Sequence, residues 1–362
     1  MKTLPKKILV IRSSAMGDVA MTAPVLAEVS RRYPELEIVL LTREFYAPFF
    51  DGIDRLTIHN INLGQGEGHR GLRGLVRLFG ELRRNHPEIE AVVDLQDKIY
   101  SKLLRKFYAL RHLRTFHIDK GRAEKKTLTA RSDSGKKVVR QLRTSIERYA
   151  DVFRAAGFEL PPIDTNLAAY RQQRPVPEGL GLERAAGGER WIGVAPFAQH
   201  KGKIYPLEKV RRVAEMLLAH PLKEGSVRLF LFGGGKEERR LAEEMAREVD
   251  ATGERCVSVV GRFSLREEID LIANLDLMVS MDSSAMHMAS LVGVPVVSIW
   301  GATHPCAGFL GLGQAETDAV GLEMACRPCS VYGHKECWRG DYACLNDLAP
   351  EKVYDRIANH LF

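Results

Sequence analysis

The stretch that most constrains this chain is residues 279–303, VSMDSSAMHMASLVGVPVVSIWGAT. Leu277, Met278, Val279 and Ser280 form a short apolar run, and Asp282, Ser283 and Ser284 supply helix-capping side chains. Residues 285–291 have helical character, Gly293 stops the helix, and residues 295–300 read as a buried strand. A βαβ unit puts the N-terminus of its helix at the carboxyl edge of a parallel sheet. Free backbone N–H groups and the positive dipole end there favour an anion such as a nucleotide diphosphate. Asp282 stands at that mouth, either as a simple N-cap or as an acceptor for a ligand's hydroxyls.

The same alternation runs along the whole chain. In the first half, strands are expected at residues 7–11, 38–41, 57–62, 91–95 and 112–118. Helices are expected from the turn at residues 13–18 to about Arg32, over 72–85, and over 136–156 with Gly157 as the stop. Residues 171–190 are rich in Pro, Gly, Arg and Glu and lack periodicity, which marks a linker. Strands then follow at 191–196, 227–232 and 257–260, with helices at 207–220, 237–249 and 265–275. The pattern predicts an α/β chain of two doubly wound, Rossmann-like halves facing across a cleft. The expected divisions are an N-terminal Rossmann-like domain over 1–172, a linker over 173–190 and a C-terminal Rossmann-like domain over 191–349. A C-terminal helix over 350–362 is placed to cross back to the first domain.

At 362 residues and 45% hydrophobic, the chain can fill two cores. Its longest apolar runs are strand-sized, too short to span a membrane. The run Ile8, Leu9, Val10, Ile11 is too short for a signal peptide and reads as a first strand, so a cytoplasmic protein is expected. Within the net charge of +7, residues 98–148 are crowded with Lys and Arg, opposed only by Asp119, Glu124, Asp133 and Glu147. Such a run is either a solvated face or a contact for anionic lipid, phosphorylated glycan or nucleic acid. No aromatic interleaving or helix-turn-helix pattern supports nucleic acid. Four of the six cysteines, Cys326, Cys329, Cys337 and Cys344, crowd one segment. Their spacing reads as a structural metal site, a redox-sensitive cluster or incidental thiols.

Ser13, Ser14, Ala15, Met16, Gly17 and Asp18 occupy the first strand–helix junction, on the sheet edge where such folds bind ligands. Gly17 permits close backbone approach. Asp18 could take a proton from an attacking hydroxyl, with helix capping by Ser14 or Asp18 as the plain alternative. Lys203, in the loop after the first strand of the second half, could neutralise charge on a departing phosphate or be an ordinary loop lysine. Gly233, Gly234 and Gly235 precede Glu237 and Glu238 without P-loop spacing, so they suit a ligand's adenine or ribose or a mere tight turn. Gly66, Gly68 and Gly71 match GxGxxG literally but sit in a polar loop and are discounted. There is no GxSxG, no HExxH and no Asp-x-Asp motif.

Four separated motifs then agree. They are Ile11 to Asp18 (IRSSAMGD), Lys203 to Pro206 (KIYP), Asp282 to His287 (DSSAMH), and Gly293-Val294-Pro295 with Trp300-Gly301-Ala302-Thr303. In these the chain resembles, over nearly its whole length, the ADP-heptose:lipopolysaccharide heptosyltransferases, glycosyltransferase family 9, which have the GT-B fold. The resemblance implies an inverting enzyme that needs no metal for chemistry and moves heptose from ADP-heptose to a lipopolysaccharide inner-core hydroxyl. Asp18 matches the catalytic base, with Ser14 and Gly17 in the accompanying loop. Lys203 matches the lysine that holds the donor diphosphate, and Asp282 the aspartate that binds the donor sugar. Ser283, Ser284 and His287 continue that helix start, and Glu237 or Glu238 would lie near the adenosine. The basic residues of 98–148 would meet a phosphorylated lipid-linked acceptor and the cytoplasmic surface of the inner membrane. Two departures stand out: Ser283-Ser284-Ala285, where relatives carry threonine or serine followed by glycine, and Tyr205, where tryptophan is usual. The alternatives are a transferase with another nucleotide-sugar donor or surface-glycan acceptor, a nucleotide-sugar epimerase of the same architecture, and an inactive nucleotide- or glycan-binding module.

Overall fold

The computed structural model describes residues 4–64, 68–181, 183–185, 188–220 and 225–361. Gly66 of the literal GxGxxG match and Phe362 of the expected last helix lie outside them. The first elements are β1 (Lys7–Ile11), α1 (Met16–Ala20), α2 (Ala23–Arg32), β2 (Glu37–Thr42), β3 (Leu56–Asn60), α3 (Gly71–Asn85) and β4 (Ala91–Asp94). Then come α4 (Ile99–Ala109), β5 (Arg114–His117), α5 (Arg122–Leu128), α6 (Ser145–Ala156), β6 (Arg190–Ala195), α7 (Leu207–Ala219), β7 (Val227–Leu231) and α8 (Gly235–Val249). The last are β8 (Cys256–Ser258), α9 (Leu265–Ala273), β9 (Leu277–Met281), α10 (Ser284–Leu291), β10 (Val296–Ile299), β11 (Ala319–Val320), α11 (Ala343–Asn346) and α12 (Pro350–Leu361). By contact the chain divides into two units, Met1–Lys120 with Thr144–Asp164, and Gly121–Arg143 with Thr165–Phe362.

In the first unit the strand order is β3-β2-β1-β4-β5, every pair parallel. The central strands are unbroken apolar runs because helices cover both faces of such a sheet. Leu9, Ile11 and Val92 share one core with Leu75, Leu78 and Leu82 of α3 and Leu104 and Tyr108 of α4. The second unit has the order β11-β10-β9-β6-β7-β8, again all parallel. Each chain path starts at a central strand, winds outward, and returns to the other side of that strand. The reversal falls between β1 and β4 in one unit and between β6 and β9 in the other. A ligand crevice forms outside the carboxyl ends of the strands at such a point.

Three expectations are corrected. The helix expected from the first turn to Arg32 is broken at Met21 and Thr22, because Pro24 in the first turn of α2 has no N–H to donate to the Ala20 carbonyl and its ring crowds that carbonyl. The helix expected over 136–156 begins only at Ser145. Thr144 is its N-cap and accepts the Glu147 N–H at 3.2 Å. Upstream, Lys136, Lys137, Arg140 and Arg143 repel one another at helical spacing, and Lys137 is committed elsewhere. Finally, α12, expected to cross back to the first domain, packs within the second unit. Its buried Val353 and Ile357 join the core of the second, with Val210 and Val213 of α7 and Val297 and Ile299 of β10.

Candidate active site

At the first reversal point, Asp18 sits in the first turn of α1, just beyond β1. One carboxylate oxygen pairs with Arg12 Nη2 at 2.5 Å, and the other accepts the Tyr149 hydroxyl at 3.4 Å. Arg12 is itself immobilised: Nη1 donates to the Leu95 carbonyl at 2.6 Å, and its guanidinium lies 5.3 Å from the Tyr149 ring centroid. The Ser13 and Ser14 N–H groups both donate to Gln96 Oε1, at 2.9 and 3.3 Å, which lashes the β1–α1 loop to the end of β4. Lys98, one residue before α4, donates to Ser14 Oγ at 3.1 Å. Burial, followed by the Arg12 charge, holds the Lys98 ammonium below its usual pKa. The loop therefore offers a partly exposed carboxylate beside two cations.

At the second reversal point, Lys203 follows β6 and Asp282 follows β9. Their side chains pair at 2.8 Å, with Asp282 5% and Lys203 15% exposed. The simple N-cap role for Asp282 falls away, since Ser283 is the N-cap of α10. The Ser283 hydroxyl faces that of Ser280 at 3.1 Å instead of closing the helix end. This leaves the first-turn N–H groups of α10 beside an ammonium, a combination suited to a phosphate. Ser284 opens α10 half-buried, and His287 is buried one turn on. Behind Lys203, Tyr205 is fully buried, its hydroxyl bonded to the Leu348 carbonyl at 2.8 Å. Glu238 turns back to accept the Gly234 N–H at 2.7 Å and so caps α8, while Glu237 pairs with Arg240 on the surface.

The cysteine segment and the basic run are distributed differently from a simple reading of either. Cys326, Cys329, Cys337 and Cys344 line one small cavity with Arg327 and Trp338, and all are free thiols. Burial raises the Cys329 thiol and takes Cys344 to about 11. Among the described residues, no three His, Cys, Asp or Glu side chains are arranged to hold a metal ion. Within the run 98–148, Lys125 is buried with its ammonium 4.4 Å from the Phe309 ring, and Arg148 is buried on the Asp119 carbonyl. Arg105 is taken up by Asp94 and Asp97, and Lys137 by backbone carbonyls. The run is not one solvated face.

Gln96 and Tyr149 carry no signal in the sequence, while Arg12 stands in the first motif and Lys98 at the head of the basic run without either being placed beside Asp18. For Lys98 strand order gives that place: β4 neighbours β1, so the residue before α4 shares the sheet edge with Asp18.

Two parallel Rossmann-like sheets of this kind are the architecture of the GT-B glycosyltransferases. The sequence profile of glycosyltransferase family 9 (heptosyltransferase) matches residues 75–338, and the chain belongs to that family. It is 27% identical over 304 residues to lipooligosaccharide heptosyltransferase 2 of Haemophilus influenzae, covering 82% of this chain and 84% of the relative. Among solved structures, it is similar to the E. coli ADP-heptose lipopolysaccharide heptosyltransferase II, with TM-score 0.65, 18% identity and 98% of each chain covered. It is also similar to a family 9 glycosyltransferase of Veillonella parvula, with TM-score 0.71, 16% identity, and 100% and 98% of the two chains covered. The chain is accordingly a glycosyltransferase.

Proposed function

We propose that this chain is an inverting, metal-independent transferase that moves heptose from ADP-heptose to a hydroxyl of the lipopolysaccharide inner core. The observation that carries the reading is the Lys203–Asp282 pair at the mouth of α10. An ammonium there stabilises the departing diphosphate electrostatically, and a buried carboxylate beside it accepts sugar hydroxyls. The acceptor oxygen attacks the anomeric carbon as its proton passes to Asp18, and the bond to the diphosphate breaks with its electron pair leaving on ADP. Lys98 and Arg12 supply positive charge beside Asp18, suited to a phosphorylated acceptor. The names of the relatives support the donor and acceptor classes.

The same reading includes an anionic membrane surface as a partner, and α3 and α4 carry the face for it. Leu72, Val76 and Ile99 are 63%, 55% and 81% exposed. Arg73, Arg77 and Lys106 accompany them at the surface, while Glu81, the one acid within the two helices, is bonded to His69. Each such cation contributes about 1 kcal/mol near an anionic bilayer. Replacing Leu72, Val76 and Ile99 by serine is expected to weaken cosedimentation with acidic phospholipid vesicles severalfold, while turnover of a delipidated acceptor is unchanged. Equal binding by parent and variant would remove this face from the proposal. No described helix is long and apolar enough to cross a membrane.

Calorimetric titration with ADP, UDP, GDP and CDP, with and without chelator, tests the donor. Selective ADP binding that survives the chelator is the expected result. Preference for another nucleotide would transfer the reading to a different sugar donor.

A further inference from the structure

The cysteine-bearing segment, residues 326–344, is anchored to the second unit by two cations. Arg327, buried, donates from Nε to the Gly301 carbonyl at 2.6 Å and from Nη2 to those of Trp300 at 2.8 Å and Thr303 at 3.3 Å. Lys137 Nζ donates to the carbonyls of Pro328 at 2.6 Å, Leu128 at 3.0 Å, and Cys326 and Ala130 at 3.3 Å. From this base the Cys329 and Ser330 N–H groups both donate to the Ala302 carbonyl, at 3.0 and 3.1 Å. The Ala302 N–H in turn donates to the Gly202 carbonyl at 2.8 Å.

The chain then turns at Gly333, with φ 76°, directly against the Lys203 stem. A Cβ at Gly333 would lie 2.6 Å from Lys203 Cγ and 3.3 Å from both Cδ and Cε. Gly202 is packed as tightly on the other side, since a Cβ there would lie 2.8 Å from the Gly333 carbonyl oxygen and 2.9 Å from Ala302 Cβ. His334 packs against His200, which precedes the Lys203 turn, with ring centroids 5.9 Å apart. A lysine stem has four rotatable bonds and leaves its ammonium poorly placed unless something confines it. Gly333 brings backbone against that stem where a side chain would displace it, and Gly202 lets the Gly333 backbone approach that closely.

We propose that Gly333 is a positioning residue for Lys203: its backbone, held in place through Arg327 and Lys137, is the wall that aims the Lys203 ammonium at Asp282 and the donor diphosphate. This rests on the reading of Lys203 given above. Gly333→Ala is expected to lower kcat/KM for the nucleotide-sugar donor about tenfold or more, as a misplacement of under an ångström does. Made in a Lys203→Met background, which keeps the stem and removes the ammonium, the same substitution is expected to add no further loss. An equal loss in both backgrounds would mean a general structural role and would overturn the proposal. Gly202→Ala, at a position without positive φ, intrudes on the same wall and is expected to behave alike, which keeps the test open if Gly333→Ala does not fold. Lys203→Met alone separates two failures. If it binds and turns over donor like the parent, the reading of Lys203 is wrong. If it is impaired while both glycine variants keep full kcat/KM, the positioning role is wrong.

Discussion

The two units place an acid and a lysine on either side of their reversal points, with the order exchanged. In the first unit Asp18 follows β1 and Lys98 follows β4; in the second Lys203 follows β6 and Asp282 follows β9. The second pair closes on itself at 2.8 Å, whereas Asp18 takes Arg12 and Lys98 takes the Ser14 hydroxyl. Arg12 is a planar, permanently charged group fixed on the Leu95 carbonyl, so the orientation of Asp18 is set before any ligand arrives. Lys203 is a point charge on a long stem and can be shared between Asp282 and an incoming phosphate. Under the proposed function, the first half holds a proton acceptor still and the second exchanges one counter-charge for another.

Removing the acid from the fixed half breaks the comparison most sharply. Asp18→Asn is expected to cut kcat about 10³-fold, within the usual contribution of a general base, with the calorimetric affinity for ADP unchanged. A variant that kept most of its rate would show that the carboxylate is structural. In the exchangeable half, Lys203→Met is expected to weaken ADP binding and to lower kcat/KM about 10²-fold. It also leaves Asp282 buried without its cation, for a stability loss of about 3–5 kcal/mol in denaturant unfolding. Unfolding at parental denaturant would mean that water already compensates Asp282. Adding ADP should therefore raise the melting temperature of the Asp18→Asn variant as it does the parent's, and raise that of Lys203→Met much less.

The smallest effect concerns the first unit alone. His59 and His86 stand 3.4 Å apart on β3 and just beyond α3. Burial lowers the pKa of each from 6.5, with the neighbouring His86 adding to the effect on His59 and Lys7 to that on His86. Below pH 6.5 the unfolded chain therefore binds more protons than the folded one. Their contribution is full above that value and is lost as pH falls toward the folded pKa values. Thermal unfolding between pH 7.5 and 5.5 should show a decline that His59→Gln flattens. An unchanged slope would place the acid sensitivity elsewhere.

The sheets were legible because buried parallel strands are written as unbroken apolar runs, and the loops after β1, β6 and β9 could be located from strand order alone. What stayed hidden depends on residues far apart in sequence. Arg12 becomes the partner of Asp18 through an anchor at Leu95, and nothing near Lys203 announces that Gly333 will lie on its stem. The basic residues of 98–148 look alike as letters, yet Lys125 covers an aromatic ring, Lys137 gathers carbonyls, and Lys106 faces water. Charge in a sequence reports how many cations there are; which of them stay at the surface is decided by packing.

The allegiance of residues 121–143 to the second unit bears on how the protein can be made and divided. Connectivity crosses between the units after Lys120, after Arg143 and again after Asp164, so no single cut separates two self-sufficient halves. A chain ended after the first crossover region would lack the Cys306 carbonyl to which the buried Leu142 donates its N–H. During synthesis, Lys137 leaves the ribosome 189 residues before the Cys326 carbonyl that it will hold. The first Rossmann-like sheet can close early, but this strap has to wait for nearly the end of the message, exposed in the meantime to proteases and to chaperones that bind unfinished apolar segments.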